Sequence, residues 1–404
     1  MQPLRLLIPG RYWDSHIYAG RLYLFGLEGD IRSIDWDSLI GKWNIRDELK
    51  IALVCAFLRS DYLYGQDLQD LFQDREIRNI IARKFRDLAE ENLYATPRQL
   101  SHHIIGHQDN PCPFPHADTE IYHQNLYVGG PSGLVRTTCN KKRKYPISTR
   151  PEKIWDAPVL GISASYGSIA LAAGEEGLFE LDINGTGYNP NRDTSNEPKP
   201  LVDNPCCDCN WAYYSIFASS DESGFLASYT KRMDDTHDSY PKRQFEGVRK
   251  AEDIFGSLGY SWGVQDKLCQ AVENGIRVVR YQPWTPKLED RLKHLGTVSL
   301  ASWKGSVISA SVATFGVVIE LENAIVIYPS SGDPITLFGE PVNWRTFPRS
   351  KHYENQLHII YEDRLEILSF NHDYLINQEE KLLGTSVMRQ RREQRTSLSE
   401  LIAS

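Results

Sequence analysis

Long hydrophobic runs are missing from this 404-residue sequence. No apolar segment reaches the roughly 20 residues that a membrane-spanning helix needs. The N-terminus MQPLRLLIPGRYWD has an apolar core too short for a secretory signal. We therefore expect no membrane segment and a cytoplasmic location.

Cysteine is scarce and its count is odd. The sequence has seven cysteines, and three of them, Cys206, Cys207 and Cys209, are crowded into the stretch CCDC. An odd, clustered set does not form an even disulfide framework and fits a reducing compartment. The cluster is open to two interpretations, namely plain loop or strand-edge thiols, or a metal-binding or redox-active site.

An excess of positive charge is also absent. The formal net charge is -8 at pH 7, which argues against a surface devoted to nucleic-acid phosphates. Hydrophobic residues make up 41% of the chain and aromatic residues 11%. This composition excludes disorder of the whole chain and indicates a protein with a sizeable core.

Familiar catalytic motifs are missing as well. The sequence has no GxxxxGK[ST] phosphate loop, no GxSxG elbow and no HExxH zinc motif. Asp14 and Asp118 occupy equivalent positions in two similar segments and, with His116, could face a channel and bind a cation. The alternative interpretation is that each aspartate hydrogen-bonds the backbone at the start of a strand.

What the sequence does contain is a repeat. The stretch YWDSHIYAGRLYLFGLEGDIR at residues 12–32 returns without a gap in FPHADTEIYHQNLYVGGPSGLVR at residues 114–136. Each copy alternates apolar and polar residues over two runs around a glycine-bearing turn, which predicts antiparallel strands. Glycine suits such a turn because it reaches positive φ without strain.

The same turn signal occurs seven times along the chain. The turn residues are Gly29, Gly133, Gly177, Gly224, Gly275, Asn323 and Asp363. From the second onward they recur every 40 to 51 residues, which is the period of a four-stranded propeller blade. The first interval is 104 residues, so about 60 residues are inserted there.

The inserted residues have helical rather than strand periodicity. Ile77, Ile81, Phe85 and Leu88 recur every three to four residues after Asp74, a suitable N-cap. Residues 46–58 are apolar enough to pack against them. We predict a first blade with an N-terminal closing strand at 1–37, a helical insertion at 38–97, six further blades at 98–373, and a flexible or helical tail at 374–404.

Seven sheets of this period resemble the seven-bladed, WD40-like β-propeller superfamily, since radial repetition leaves only short, protected edges. The resemblance implies an all-β fold with an α-helical insertion between the first and second blades. We expect the N-terminal run LRLLI to complete the last blade. No blade carries the Gly-His start and Trp-Asp end of true WD40 repeats, so the resemblance implies the fold and no particular function.

One segment is dense in metal-ligand residue types. The candidate ligands are His102, His103, His107, Cys112 and His116. Imidazole and thiolate groups bind zinc, but this spacing fits no familiar zinc motif. Ordinary substitutions within a repeat are the alternative, because His116 and His123 align with Tyr12 and Ala19 of the first copy.

Two basic runs could contact phosphates or an acidic partner. The first consists of Lys141, Lys142, Arg143 and Lys144, and the second spans residues 389–397. A solvated surface run and a solubilising or phosphorylatable tail are the alternatives.

Together these features favour a non-enzymatic propeller that binds a protein partner through the insertion at 38–97 and through loops on the propeller faces. Such a protein would act as a scaffold, a sensor, or a regulatory or inhibitory subunit, and no cofactor is expected. The alternatives are a metal-assisted hydrolase at the propeller channel and a nucleic-acid-associated factor using the basic loop. The partner, the functional face and the oligomeric state stay open.

Overall fold

Short, mainly antiparallel sheets form the framework of the protein in a computed structural model. It describes residues 2–64, 71–72, 74–139, 147–183, 197–232, 242–285, 287–299, 306–371 and 381–386. In chain order the first strands are β1 Leu4–Pro9, β2 Tyr12–Tyr18, β3 Arg21–Gly26, β4 Asp30–Asp35, β5 Leu93–Tyr94, β6 Ile104–Asp109, β7 Asp118–Tyr122, β8 Asn125–Gly130, β9 Gly133–Thr138, β10 Glu152–Trp155, β11 Gly161–Ser165, β12 Ser168–Ala172, β13 Leu178–Asp182 and β14 Lys199–Val202. The others are β15 Asp208–Ala212, β16 Ser215–Ser219, β17 Gly224–Arg232, β18 Lys242–Lys250, β19 Ser261–Val264, β20 Lys267–Val272, β21 Gly275–Tyr281, β22 Leu292–Ser299, β23 Ser309–Ala313, β24 Gly316–Leu321, β25 Ala324–Pro329, β26 Ile335–Phe338, β27 Asn343–Thr346, β28 Gln356–Tyr361 and β29 Arg364–Ser369.

These strands form seven sheets, the blades of an all-β, seven-bladed β-propeller, as the turn series predicted. Two compact units divide them, one made of residues 1–109 and 309–404 and the other of residues 110–308. The first unit holds blade 1 (β2-β3-β4-β6), blade 6 (β23-β24-β25-β26) and blade 7 (β27-β28-β29-β1-β5). The second unit holds blades 2 to 5, whose strands follow chain order from β7 to β22.

The N-terminal strand completes the last blade, which confirms the expectation for LRLLI. β1 pairs antiparallel with β29 from Leu4 opposite Ser369 to Pro9 opposite Arg364. On its other edge β1 pairs in parallel with the two-residue strand β5. Leu4, Leu6 and Ile8 are buried, so β1 contributes alternate side chains to the core as well as a row of backbone hydrogen bonds.

All seven predicted turn residues lie at the tight turn that joins the second and third strands of a blade. Gly29, Gly133 and Gly177 have φ of 79°, 104° and 94°, in the region that favours glycine. At Gly133, Gly177 and Gly275 a Cβ would also lie 2.0 to 2.3 Å from a backbone carbonyl oxygen near the fourth strand. Gly133 and Gly177 are therefore needed both for their φ and for this close approach, and Gly275 for the close approach.

Gly133→Ala is expected to lower the free energy of unfolding by about 1–3 kcal/mol, because the new Cβ meets the Trp155 carbonyl oxygen and φ is positive. Gly41→Ala is the matched control, because Gly41 lies at the end of a helix and a Cβ added there would have nothing within 4 Å, so the change should be neutral or mildly stabilising. Urea denaturation of both variants measures the difference. Equal midpoints would contradict this account of the turn.

The predicted helical insertion is confirmed, and it lies before the last strand of blade 1 rather than after that blade is complete. Its helices are Trp36–Gly41, Lys50–Phe57, Asp61–Tyr64, Arg75–Ala89 and Pro97–His103, with a 3-10 turn at Asp47–Leu49. Outside the insertion, the described residues add a short helix at Ala251–Phe255 and a 3-10 turn at Leu288–Arg291. The chain enters the insertion after β4 and returns as β6, the fourth strand of blade 1.

The longest helix of the insertion begins as the sequence predicted. The Asp74 side chain accepts hydrogen bonds from the backbone N–H groups of Glu76 and Ile77, as an N-cap does. Of the predicted stripe, Phe85 and Leu88 are buried, while Ile77 and Ile81 are partly buried against the same apolar cluster.

Candidate functional site

Buried amide side chains of blade 7 hold the helix Lys50–Phe57 of the insertion at its C-terminal end. The carbonyl oxygen of Ala56 accepts from Asn355 Nδ2 at 3.2 Å and from Ser369 Oγ at 2.9 Å. The carbonyl oxygen of Phe57 accepts from Gln356 Nε2 at 3.0 Å. The last carbonyls of a helix have no partner within it, so these donors stabilise the helix end and fix it to blade 7.

A second attachment follows directly in the chain. The backbone N–H of Ser60 donates to the His352 carbonyl oxygen at 3.1 Å. His352 Nδ1 lies 2.9 Å from Asp61 Oδ1, and Asp61 also accepts from Arg59. This segment is therefore tied to the loop between β27 and β28.

The buried face of the insertion belongs to the core of the propeller unit that carries it. Leu53 and Phe57 of the insertion, Leu6 of β1 and Ile367 of β29 lie in one apolar cluster. The insertion is thus a built-in part of this unit, and its helices are presented at a fixed position on blades 1 and 7.

The insertion also carries an apolar groove of about 490 Å³, which borders this same cluster and which we call the insertion groove. The helices Lys50–Phe57 and Arg75–Ala89 supply its walls through Ile51, Cys55, Ile77 and Ile81. Leu63, Phe72 and Phe85 line it as buried side chains, whereas Ile51 is 50% exposed and Leu71 51% exposed. Burial raises the pKa of the Cys55 thiol to about 12, with a smaller contribution from Asp61, so Cys55 stays an apolar thiol at neutral pH.

The predicted metal ligands are spread over several elements. His102 Nδ1 lies 2.5 Å from the Arg98 carbonyl oxygen on the helix Pro97–His103, and His103 follows on the same helix. His107 on β6 pairs with Asp30 at 2.9 Å. In the other unit, Cys112 and His116 are buried and precede β7.

Two of these groups have pKa values that differ from their ordinary ones. Burial raises the pKa of Cys112 to about 12. The pKa of His103 is lowered, first by partial burial and then by Lys42. Among the described residues no three His, Cys, Asp or Glu side chains are grouped closely enough to hold a metal ion, and the zinc site stays a prediction.

The two aspartates considered for a channel site make structural hydrogen bonds. Asp14 and Asp118 each accept from the backbone N–H of the next residue at 2.7 Å, and Asp208 of β15 does the same. Asp118 Oδ2 also accepts from the N–H of Ile162 on the next blade at 2.8 Å, and Asp14 pairs with Arg345 at 3.2 Å. These contacts support the strand-start interpretation, and Asp208 is a third member that the sequence analysis missed.

The three clustered cysteines differ in exposure. Cys206 and Cys209 are buried and Cys207 is exposed, and all are free thiols. Burial raises the pKa of Cys206 to about 12. The pKa of Cys207 is raised as well, first by partial burial and then by Asp221 and Glu175. Raised pKa values reduce the thiolate fraction and hence the reactivity of these cysteines at neutral pH.

Both basic runs, Lys141, Lys142, Arg143 and Lys144 and residues 389–397, lie outside the described residues. In the described parts of the chain, no helix has the length and apolar character that would let it cross a membrane.

The sequence analysis missed the donors that hold the insertion. Asn355 and Gln356 are about 300 residues away from the helix that they cap. Two adjacent amide residues before an apolar strand are the available signal, and this signal does not identify their target.

No protein-family model and no curated protein matches this chain. Among solved structures, the chain is similar to the Neurospora crassa Pan2 WD40 domain, with 8% identity over 90% of each chain and a TM-score of 0.44. It is similar to the computationally designed Ika8 protein, with 7% identity over 92% of this chain and 100% of that one and a TM-score of 0.43. A chain of the mitotic checkpoint complex gives 12% identity over 67% and 80%, with a TM-score of 0.41.

At these values the similarities assign no function. The seven blades themselves confirm the fold-level resemblance to the WD40-like propeller superfamily.

Proposed function

We propose that this protein is a non-enzymatic interaction propeller that binds a protein partner through its helical insertion. The observation that carries the proposal is the insertion groove, an apolar surface on helices that are themselves fixed to the propeller. Exposed, contiguous apolar surfaces mark binding sites on proteins, whereas isolated exposed apolar residues do not.

Rigid presentation supports the same proposal. Partners lose less conformational entropy on binding when the contact surface is already ordered. The helix end at Phe57 is held by Gln356 and by the indole N–H of Trp36, which donates to the Phe57 carbonyl oxygen at 2.8 Å. The groove walls therefore need little rearrangement to receive a partner.

Within this proposal the protein acts as a scaffold, a sensor, or a regulatory or inhibitory subunit of a larger assembly, and loops on the propeller faces add contacts. We place it in the cytoplasm. Seven free cysteines support a reducing compartment for it.

Glutamates at the two most exposed groove positions are expected to reduce partner recovery at least tenfold, since they put charge into an apolar interface. The variant is Ile51→Glu combined with Leu71→Glu, compared with the intact wild-type protein in affinity purification from its native cells. Phe338→Glu is the control, because Phe338 is 84% exposed on β26, outside the groove.

Mass spectrometry and elemental analysis of the same samples decide the outcome. A stoichiometric protein partner on the wild type and on the control, reduced on the double variant, supports the proposal. Equal recovery on all three proteins would move the contact away from the insertion. A monomer with one equivalent of zinc or calcium would replace the proposal with the hydrolase alternative.

A further inference from the structure

The insertion groove has the form of a receptor for a helix. One wall presents Ile51 and Cys55, four residues apart, and the other presents Ile77, Ile81 and Phe85 at the same spacing. Side chains with this spacing lie on one face of a helix, so two helix faces border the groove. The short helix Asp61–Tyr64 also lines the groove through Tyr62 and Leu63, and an amphipathic helix placed there would complete a small helical bundle.

An added strand would not fit this surface equally well. β-strand addition requires an exposed sheet edge with unpaired backbone N–H and C=O groups. The backbone groups within the two wall helices are hydrogen-bonded along each helix, so recognition in the groove depends on side chains. An apolar stripe at i, i+3, i+4 and i+7 is the pattern that would fill it.

The charge of one wall helix, including one lysine in the groove itself, selects among such helices. The helix Arg75–Ala89 carries five basic residues, Arg75, Arg78, Arg83, Lys84 and Arg86, against only Glu76 and Asp87, although Arg86 lines a separate pocket beside Leu4. Lys84 itself lines the groove. In the described part of the chain none of the five is ion-paired with a carboxylate, in contrast to Arg46 and Arg59 elsewhere in the insertion.

This local excess of positive charge stands out on a chain with a net charge of -8. Cations beside an apolar groove favour a ligand with acidic groups next to its apolar stripe, and they disfavour a basic one. From the groove and this charge, we infer that the insertion groove binds an amphipathic helix with acidic flanks, contributed by the protein partner. The inference rests on the proposed function and specifies the chemistry of the partner.

The test uses the intact protein and two fluorescent helical peptides in binding titrations. Both peptides carry leucines at i, i+3, i+4 and i+7, and the flanking positions are Glu and Ala in one and Lys and Ala in the other. The acidic peptide is expected to bind with a Kd in the micromolar range, at least tenfold more tightly than the lysine peptide. High salt should reduce this difference in Kd between the two peptides, because salt screens the charges.

Two substitutions test the two components of recognition. Ile51→Glu should weaken binding of the acidic peptide more than tenfold, whereas Phe338→Glu should leave it unchanged. Lys84→Glu should weaken binding of the acidic peptide and strengthen binding of the lysine peptide. A general loss of folding would weaken binding of both peptides. Circular dichroism of each variant checks that the fold is retained.

Several results would overturn the inference. These are equal affinity for both peptides, no binding by the wild-type protein, or equal losses with Ile51→Glu and Phe338→Glu. If the acidic peptide binds only after residues 65–70 are replaced by a Gly-Ser linker, the ligand of the groove is a segment of this chain itself. A dimer in sedimentation that Ile51→Glu dissociates would make the occupant a second copy.

Binding to vesicles of phosphatidylserine and phosphatidylcholine that is lost in Lys84→Glu would identify a membrane surface as the ligand instead. Affinity purification separates this inference from the proposed function. A partner that the Ile51→Glu protein retains, with no peptide binding by the wild type, keeps the protein-binding role, removes the helix-in-groove inference and moves the contact away from the insertion. If no protein partner is recovered at all, the proposed function itself is wrong.

Discussion

Leu6→Ala combined with Ile8→Ala is expected to lower the free energy of unfolding by about 4–10 kcal/mol, since each large-to-small change in a core costs about 2–5 kcal/mol. Both side chains are fully buried in β1 and contact the apolar cluster of their unit. Because a typical domain has only about 5–15 kcal/mol of stability, this loss should leave much of the protein unfolded at 37 °C. Urea denaturation monitored by tryptophan fluorescence measures it.

The matched control is Leu7→Ala in the same strand. Leu7 points to the other face of β1 and is only partly buried, so its loss should cost about 1 kcal/mol or less. Deleting residues 2–9 should in addition expose the edge of β29, to which β1 is paired, and promote self-association. If the double variant and Leu7→Ala lose the same free energy of unfolding, β1 does not complete blade 7 in solution.

The propeller was predictable because its signal is local and repeated. Each blade needs a tight turn between its second and third strands, and residues such as Gly133 and Gly177 mark that turn in the sequence itself. The fourth strand of blade 1 was harder to recognise. β6 follows the insertion, and its exposed and half-exposed residues show no clear apolar alternation, because one of its edges and much of its surface face solvent.

The candidate site was predictable only in outline. Helical periodicity located Ile77 and Ile81, but a stripe that packs in a core and a stripe that borders a groove have the same spacing. The exposure of Ile51 and Leu71 depends on how the insertion helices pack against blades 1 and 7. That packing depends in turn on contacts such as Asn355 to Ala56, between residues 299 positions apart in sequence, which periodicity does not reveal.

Two buried histidines in the unit of blades 1, 6 and 7 should make the free energy of unfolding strongly dependent on pH. His16 on β2 and His358 on β28 are 6% and 0% exposed, and both pack against the Phe347 ring. Burial lowers the pKa of each to about 3, and Arg345 lowers both further whereas Asp14 opposes the shift. His358 Nδ1 lies 3.1 Å from Ser15 Oγ, so the neutral ring is hydrogen-bonded.

The direction of the pH effect on stability follows from the number of protons that the folded and unfolded states bind. Unfolded histidine titrates near pH 6.5 and the folded groups near pH 3, so below pH 6.5 the unfolded chain binds more protons and stability falls as the pH is lowered. Above about pH 6.5 the histidines are mainly neutral in both states, and the folded protein has its full free energy of unfolding with respect to these two groups. Between pH 7 and pH 5 each histidine should cost about 2 kcal/mol of unfolding free energy, or about 4 kcal/mol for the pair.

Urea denaturation at pH 7, 6 and 5 tests this with His16→Asn and His358→Asn. Asparagine is smaller and uncharged, so each variant is expected to be less stable at pH 7 but to lose about 2 kcal/mol less on acidification. His294→Asn is the control, because His294 on β22 is exposed and should leave the pH slope unchanged. If both core variants keep the wild-type slope, the acid sensitivity arises from other groups and the two histidines are not neutral, buried residues in the folded protein.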